Sequence, residues 1–555
     1  MDKIRAVNEA ELIPEALGGY RSLEAISTTD DLEAAFTTLS QRLCSIADAS
    51  TPRKLAPSRV GQGTQAPWWN SEVCEAIQAS KQAERIYKRS PSHGTAQQLS
   101  QALHGRTRAL RRARNTSWRT FIRETANDSR KLWQVEKWAR LRSFLPVTPP
   151  KLPDLLKADG SPASSHQEKA ILLQQRFFPS PDASLPPDSA PPISLNISIS
   201  QEVTLEDVQA TLSRTASWKA PGIDNLPAGF LKACGEPLAK VLAILATKCF
   251  KLRWFPKGLK QAKVTVLQKA GKEPAVYKTA GGYRPISLLP SIGKLIEAII
   301  AARITKAAEE HGLLPEEQMG NRRHRSTNLA IRLLVTQVQE AWRHKAAGSL
   351  LQLDIKGYFD HIPHDWLTHT LQAKGLPDWI ITFLSSWLQD RHATLFFNRE
   401  SSEPVRIKAG VPQGSPLSPI LAILFLAPLY ETIAAKHPHL SLLGFADDTN
   451  ILALGISEAS TCRQLEEAWE TCRQWALTRG LTFAPEKSEL IHFTRTRKPW
   501  QQGLQLEATR IAPKEDGRFL GVWLDRKLRW EAHLREVRKR LSTQRLALTR
   551  ITVKT

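Results

Sequence analysis

The spacing of apolar residues changes period repeatedly along the chain, and each change marks a predicted element. Val264-Thr265-Val266-Leu267 is a short apolar run between polar neighbours and predicts a strand. Tyr283-Arg284-Pro285-Ile286-Ser287-Leu288-Leu289 predicts an extended segment, followed by a helix from Gly293 to Ala307. Ser349 to Ile355 is apolar except for Gln352, which predicts a buried strand ending on Asp354. A helix follows, with Asp365 near its start and Gly375 just past its end. Helical spacing returns from Pro377 to about Gln389, where Ile380, Phe383, Leu384, Trp387 and Leu388 share one face. Strands are expected at Ala393–Phe397, Pro404–Ile407 and Leu481–Phe483. A helix over Ser457 to Arg479 buries Leu465, Ala468, Trp469, Cys472 and Ala476. Ile420 to Tyr430 is the longest apolar run, too short to span a bilayer and holding Pro428, so it predicts a buried helix. Two apolar runs flank a pair of acids in Leu442 to Leu452, which predicts a hairpin with Asp447 and Asp448 at its turn. From Ser200 onward this alternation of helix and strand predicts an α/β or α+β domain.

Upstream the pattern is weaker. Residues 1–58 are mildly polar and form an unassigned tail. A basic helical connector covers 59–145, starting at Pro67-Trp68-Trp69-Asn70-Ser71-Glu72 with Asn70 or Ser71 as N-cap. Arg106, Arg108, Arg111, Arg112, Arg114, Arg119 and Arg123 crowd its later part, interleaved with Trp118 and Phe121. Such a helix is either a solvated basic face or an arm that neutralises phosphates without reading sequence. Prolines 149, 150, 153, 179, 181, 186, 187, 191 and 192 mark 146–200 as a linker, interrupted by a short helix around Glu168 to Phe178.

Composition changes the picture in two respects. Seventy-seven Lys and Arg against 54 Asp and Glu leave a net charge of +23, which favours a polyanionic partner. Six cysteines in 555 residues do not make a disulfide framework, and the start of the chain has no apolar signal segment. These features predict reduced thiols in an intracellular protein, nuclear or cytoplasmic, with no membrane partner. Oligomeric state is not legible.

The acids carry the candidate chemistry. Adjacent carboxylates repel, and each loses hydration beside apolar strands. Divalent cations relieve this, and oxygen-only ligands suit Mg²⁺. If the strand ending at Asp354 neighbours the Asp447 hairpin, their carboxylates converge and can bridge two Mg²⁺ ions roughly 3.5–4 Å apart. Positioning and charge neutralisation then carry the rate.

The order of these features resembles the non-LTR, LINE-type retrotransposon reverse transcriptases, especially Tad-like and Jockey-like elements. The matching stretches are Tyr283–Leu289, Leu353-Asp354-Ile355-Lys356-Gly357-Tyr358-Phe359-Asp360, Gly410-Val411-Pro412-Gln413-Gly414-Ser415-Pro416-Leu417-Ser418-Pro419, Phe445-Ala446-Asp447-Asp448 and Phe519-Leu520-Gly521-Val522-Trp523-Leu524-Asp525. The resemblance implies an α+β right-hand polymerase fold with fingers, palm and partial thumb, preceded by the basic helical region. It implies an RNA-directed DNA polymerase that uses two Mg²⁺ ions, with Mn²⁺ as an alternative. Its partners would be an RNA template, a DNA primer and dNTPs. Asp354, Asp447 and Asp448 match the catalytic carboxylates, and Ile355 offers a backbone carbonyl to a metal. Phe359 matches the ring that crowds a ribose 2′-hydroxyl, and Gln413 and Gly414 match the loop against the incoming nucleotide. Lys269 and Arg284 match the triphosphate grip. Lys487 aligns with the lysine that protonates pyrophosphate. Arg111, Arg112 and Arg114 in the connector, with Arg322 and Arg323 in the loop Gln318–Thr327, are the expected nucleic-acid contacts.

Departures from the family pattern are local. Phe445 replaces the usual tyrosine, and Lys269-Ala270-Gly271-Lys272 lacks a proline and so one rigid turn. The basic loop lacks the usual phenylalanine. The resemblance divides the chain into an extension of the fingers at 201–249, a reverse transcriptase domain at 250–525 and the truncated start of a thumb at 526–555. Intact elements carry an endonuclease before this region and many an RNase H after it, so the expectation is a fragment of an element. Two other readings remain open: an inactive remnant that binds RNA or DNA through its basic surface, and a group II intron-type maturase. The Gly410–Pro416 loop and Phe519–Trp523 argue against the maturase.

Overall fold

Leu350, Leu351 and Leu353 are all buried because the strand that carries them, Ala347–Leu353, lies mid-sheet with both faces covered. In a computed structural model of the chain this sheet has the order Pro513–Lys514, Glu489–Phe493, Ala347–Leu353, Asp448–Gly455, Ser441–Phe445. The central strand is antiparallel to both neighbours. Successive side chains alternate between two cores, as a pleated strand requires. Leu351, Leu442, Ile451 and Leu490 pack into the larger one with Phe425 and Leu465. Leu350, Leu443, Leu452 and Ile491 pack against Leu334 and Val338 on the other face.

The structure describes residues 10–51, 68–125, 151–180, 186 and 197–553. Parts of four expected regions lie outside these: 1–9 and 52–58 of the tail, 59–67 and 126–145 of the connector, 146–150, 181–185 and 187–196 of the linker, and 554–555 of the thumb. The chain divides into two compact units, one from residues 1–52 and 151–530, the other from 53–150 and 531–555.

In the first unit a second sheet stands beside the first in sequence order. Tyr283–Leu288 is antiparallel to Gln261–Gln268, which in turn runs parallel to His392–Phe397. The expected helices are present at Ser291–Glu310, His364–Ala373, Asp378–Leu388 and Glu458–Thr478. Ser457 caps the last, accepting from Ser460 N. The apolar run extends to a helix of 19 residues, Ser418–Lys436, longer than expected and apolar enough by length and composition to cross a membrane. Two-thirds of it (67%) is buried inside the protein, where it backs the first sheet. The strand expected at Leu481–Phe483 reduces to a single bridge between Ile355 and Phe483.

Two expectations are corrected. The tail is not separate: Leu32, Phe36, Leu39, Leu43 and Ile46 of the helix Thr29–Ser50 repeat at helical spacing and are buried in the larger core. Glu33 of that helix accepts from Trp254 Nε1 at 2.7 Å and from Lys257 N at 2.9 Å. Nor is 151–178 free linker. Leu155, Ala163, Leu173 and Phe177 join Val264, Tyr283, Leu395 and Phe397 in one core over the second sheet. Proline density describes the backbone, and the apolar spacing between the prolines decides where it packs.

The second unit contains the helices Ser71–Arg89, His93–Thr125 and Glu531–Val553. Asn70 is the N-cap of the first, accepting from Val73 N at 3.0 Å. All six cysteines are free, four of them buried.

One buried charge organises the first unit. Glu297 is fully buried and accepts from Trp387 Nε1 at 2.8 Å and from Ser415 Oγ at 2.7 Å. Arg391, also buried, lies over the Trp387 ring at 5.0 Å and within electrostatic reach of Glu297. Glu297→Ala would strand two donors and leave the guanidinium without its offsetting carboxylate. The expected outcome in urea unfolding is a loss of roughly 3–5 kcal/mol.

Candidate active site

The hairpin turn is where the acids are assembled. Asp448 pairs with Phe445, so only Ala446 and Asp447 make the turn. Ala446 has φ 57°, in the left-handed region, which costs a non-glycine residue on the order of 1–3 kcal/mol unless its surroundings hold it. Gln318 does the holding. Its Oε1 accepts from Ala446 N at 3.0 Å and its Nε2 donates to Ala446 O at 3.1 Å. Met319 N donates to Gly444 O and Gly444 N to Glu317 O, at 2.7 and 2.9 Å, so residues 317–319 dock on the hairpin's outer strand. Gly320 follows because a Cβ there would sit 2.2 Å from Ala446 N. Gln318 was legible only as part of a basic loop; a glutamine's partner 128 residues away leaves no local signal.

Register brings the third acid in. Thr449 pairs with Leu353, so Asp354, the next residue, lies beside Asp448 at the same end of the sheet. Burial and then the Asp354 charge hold the Asp447 carboxyl above its ordinary range. Asp448 is exposed at its tip, yet partial desolvation, Asp447 and Asp354 push it up to about 6. Asp354 Oδ2 accepts from Lys487 Nζ at 2.6 Å, an ion pair that partly offsets the crowding. Ala484 N donates to Asp354 O and Lys356 N to Thr482 O, at 2.8 and 2.9 Å. The backbone groups of the intervening Ile355 therefore face the opposite edge, toward the hairpin.

These residues open on a cavity of about 560 Å³. Asp354, Ile355 and Asp447 line it, and so do all five residues expected to meet a nucleotide: Lys269, Arg284, Phe359, Gln413 and Gly414. Lys487 lines it too, in its pair with Asp354 rather than as a free solvated lysine. Asp448 instead lines a smaller neighbouring cavity of about 150 Å³ that it shares with Asp354 and Lys487. Among the described residues, no group of three or more His, Cys, Asp or Glu side chains is arranged as a ready-made metal cage. The donor set nonetheless fits a hard divalent cation: two crowded carboxylates and a carbonyl, all oxygen. Mg²⁺ keeps several waters and takes substrate oxygens, so it needs few protein ligands.

The walls of the cavity are stitched from distant segments. Val411 N donates to Phe359 O at 2.7 Å, and Ser287 N to Gln413 O at 2.9 Å, so the Gly410–Pro416 loop ties the two sheets together. Gly414 has φ 128° and lies so close that a Cβ would sit 2.5 Å from Ser287 O. Ser415 anchors the loop from below on Glu297. The turn lacking proline is closed differently: Tyr277 Oη donates to Lys269 O at 2.7 Å and accepts from Lys272 N at 3.0 Å. Lys269 Nζ donates to Gly281 O at 2.8 Å. Burial, then the charges of Arg176, Lys487, Arg284 and Lys272, hold Lys269 below its ordinary range.

Two lining residues were missed. Asp360 is pushed up to about 7 by burial, an effect opposed by the hydrogen bond from Gln413 Nε2 at 2.9 Å. Arg176 comes from the segment expected to be linker. Of the expected nucleic-acid contacts, Arg111 and Arg323 are exposed. Arg112 pairs with Glu72 at 2.9 Å, and Arg114 lies over Trp68 at 4.6 Å. Arg322 is a correction. Its side chain is only 4% exposed and is forked onto Glu309 at 2.7 and 3.0 Å, so it is an internal brace and not a phosphate contact.

Residues 268–524 match the family model described as reverse transcriptase (RNA-dependent DNA polymerase). These residues form a reverse transcriptase domain. The chain is 30% identical over 353 residues to a probable RNA-directed DNA polymerase from transposon BS of Drosophila melanogaster, covering 63% of this chain and 38% of that one. It is 26% identical over 543 residues to the RNA-directed DNA polymerase from mobile element jockey of the same species, covering 94% and 57%. The chain thus spans 38% to 57% of the length of these relatives. Among solved structures, apo telomerase from Candida Tropicalis aligns with a TM-score of 0.34 at 11% identity over 54% of this chain and 67% of that one.

The crowding of acids has a measurable cost. A carboxyl near 6 in the fold and 3.8 in a free chain holds more protons folded than unfolded between those values. Stability therefore falls as pH rises from about 4 to about 6, and Asp448→Asn removes that fall. In thermal melts with EDTA, the variant is expected to match wild type near pH 4 and exceed it at pH 8, with Mg²⁺ narrowing the gap.

Proposed function

We propose that the chain is an RNA-directed DNA polymerase of a non-LTR retrotransposon, extending a DNA primer on an RNA template. The observation that carries this reading is the meeting of Asp354 and Asp447 beneath a cavity walled by Lys269, Arg284 and Phe359. Asp354, Asp447 and the Ile355 carbonyl would hold two divalent cations, Mg²⁺ by the all-oxygen donor set, with Asp448 in a supporting place. When bound, such ions lower the pKa of a 3′-hydroxyl and neutralise the leaving pyrophosphate.

The chain's own residues do the remaining work. Lys269 and Arg284 fix the triphosphate by charge-assisted hydrogen bonds. The Phe359 ring, which lines the cavity, would crowd a ribose 2′-hydroxyl on the bound nucleotide. Gln413, held by Asp360, and the Gly414 backbone form the surface on which the nucleotide lies. Lys487 Nζ is placed to release its pair with Asp354 and give a proton to the departing pyrophosphate oxygen. The exposed Arg111 and Arg323 supply salt-sensitive contacts to nucleic acid.

Incorporation of dTTP on poly(rA)/oligo(dT) with Mg²⁺ tests the reading. Wild type is expected to extend the primer, and Asp354→Ala or Asp447→Ala to abolish extension while template–primer binding is kept. Extension by either variant at the wild-type rate would refute the assignment. Salt-sensitive binding by wild type without any incorporation would make the chain an inactive binder.

A further inference from the structure

Arg176 lies outside the matched residues 268–524, yet it lines the cavity. Its helix, His166–Phe177, opens with a capping box: Ser165 Oγ accepts from Glu168 N, and Glu168 accepts from Ser165 N, both at 3.2 Å. Glu168 also accepts from Lys157 Nζ at 2.6 Å, and Lys169 pairs with Asp154 at 2.8 Å, which ties the helix to the preceding segment. Ala170, Leu173 and Phe177 seat it on the sheet of Gln261–Gln268. The helix is therefore fixed at its N-terminal turn and along its buried face. Arg176 flanks that face, and its Nη1 lies 3.8 Å from where a Cβ on Gly357 would sit, three residues beyond Asp354.

The guanidinium is held there by no direct partner. Among the described residues it makes no hydrogen bond or ion pair, although arginines are rarely left so at a half-buried position. It shares the cavity with Lys269, Arg284 and Lys487, of which Lys487 is committed to Asp354. Asp360, the other carboxyl facing it, is itself bonded to Gln413. Cations gathered this way repel unless a polyanion lies among them. A guanidinium's planar fork matches phosphate oxygens in pairs, which a lysine ammonium does not.

We propose that Arg176 binds the triphosphate of the incoming nucleotide, so that the segment 151–178 is a working part of the nucleotide site. This rests on the polymerase reading for the identity of the ligand, a nucleoside triphosphate. The segment docks through its apolar face, and it brings to the cavity a cation that neither Lys269 nor Arg284 replaces.

The test uses the full chain and dTTP with Mg²⁺ as probe. Loss of one charge-assisted phosphate contact is expected to raise the equilibrium Kd for dTTP about ten- to a hundredfold in Arg176→Ala. KM for dTTP should rise in parallel, with kcat, template–primer Kd and Tm close to wild type. Arg176→Lys is expected to fall between the two. A purely structural role would instead lower Tm and leave the dTTP constants untouched. Unchanged dTTP binding in Arg176→Ala would overturn the proposal, as would a loss confined to template–primer affinity, which would make Arg176 a contact of the template backbone. Wild type that binds dTTP in an Arg176-dependent way but incorporates none would count against the polymerase reading alone.

Discussion

Three carboxylates are forced together at one end of a sheet, and the rest of the domain is built to keep them there. Left to themselves these acids would separate, since Asp354 raises the cost of ionising Asp447 and both raise that of Asp448. They stay because the strands that carry them cannot move. A slip of one residue between Ala347–Leu353 and Asp448–Gly455 would exchange Leu350 with Leu351 and Ile451 with Leu452 between two full cores. The turn adds its own opposition, with Ala446 in a strained conformation gripped by Gln318 and roofed by Gly320. Packing energy spread over many leucines thus sustains an electrostatic arrangement that no local preference favours.

The same logic extends to the cavity walls. A site between two sheets needs something to set their spacing, and the Gly410–Pro416 loop does this through main-chain bonds to Phe359 and Ser287. Its anchor is a buried carboxylate, Glu297, held by a tryptophan and a serine near a buried arginine. Buried charge here serves position and not stability for its own sake.

Much of this was legible in the chain, and the boundary of legibility is physical. The strand ending at Asp354, the hairpin around Asp447 and the apolar helix behind them were evident from period alone, because burial on both faces or one writes itself into residue type. Lys269, Arg284, Phe359, Gln413 and Gly414 were singled out by the family resemblance, and the structure gathers them in one cavity. Pairings over long separation were not legible. Gln318 looks like any polar loop residue until the turn it holds is folded beneath it. Arg322 looked like a phosphate contact because charge in a sequence does not reveal that Glu309 already occupies it. Arg176 and the helix Thr29–Ser50 were hidden for a further reason. Proline-rich and mildly polar surroundings suggested linker and tail, whereas a few apolar residues at helical spacing were enough to dock each on a core.

The central claim is that Asp354 and Asp447 form one cation site and not two independent acidic positions. Binding of Mn²⁺ followed by electron paramagnetic resonance, with template–primer and a non-extendable nucleotide present, addresses it directly. If the site is shared, wild type binds two ions, and Asp354→Asn and Asp447→Asn each weaken both together. If each variant loses its own ion and leaves the other's affinity intact, or if neither alters Mn²⁺ binding, the two aspartates do not act on common metals and the account fails.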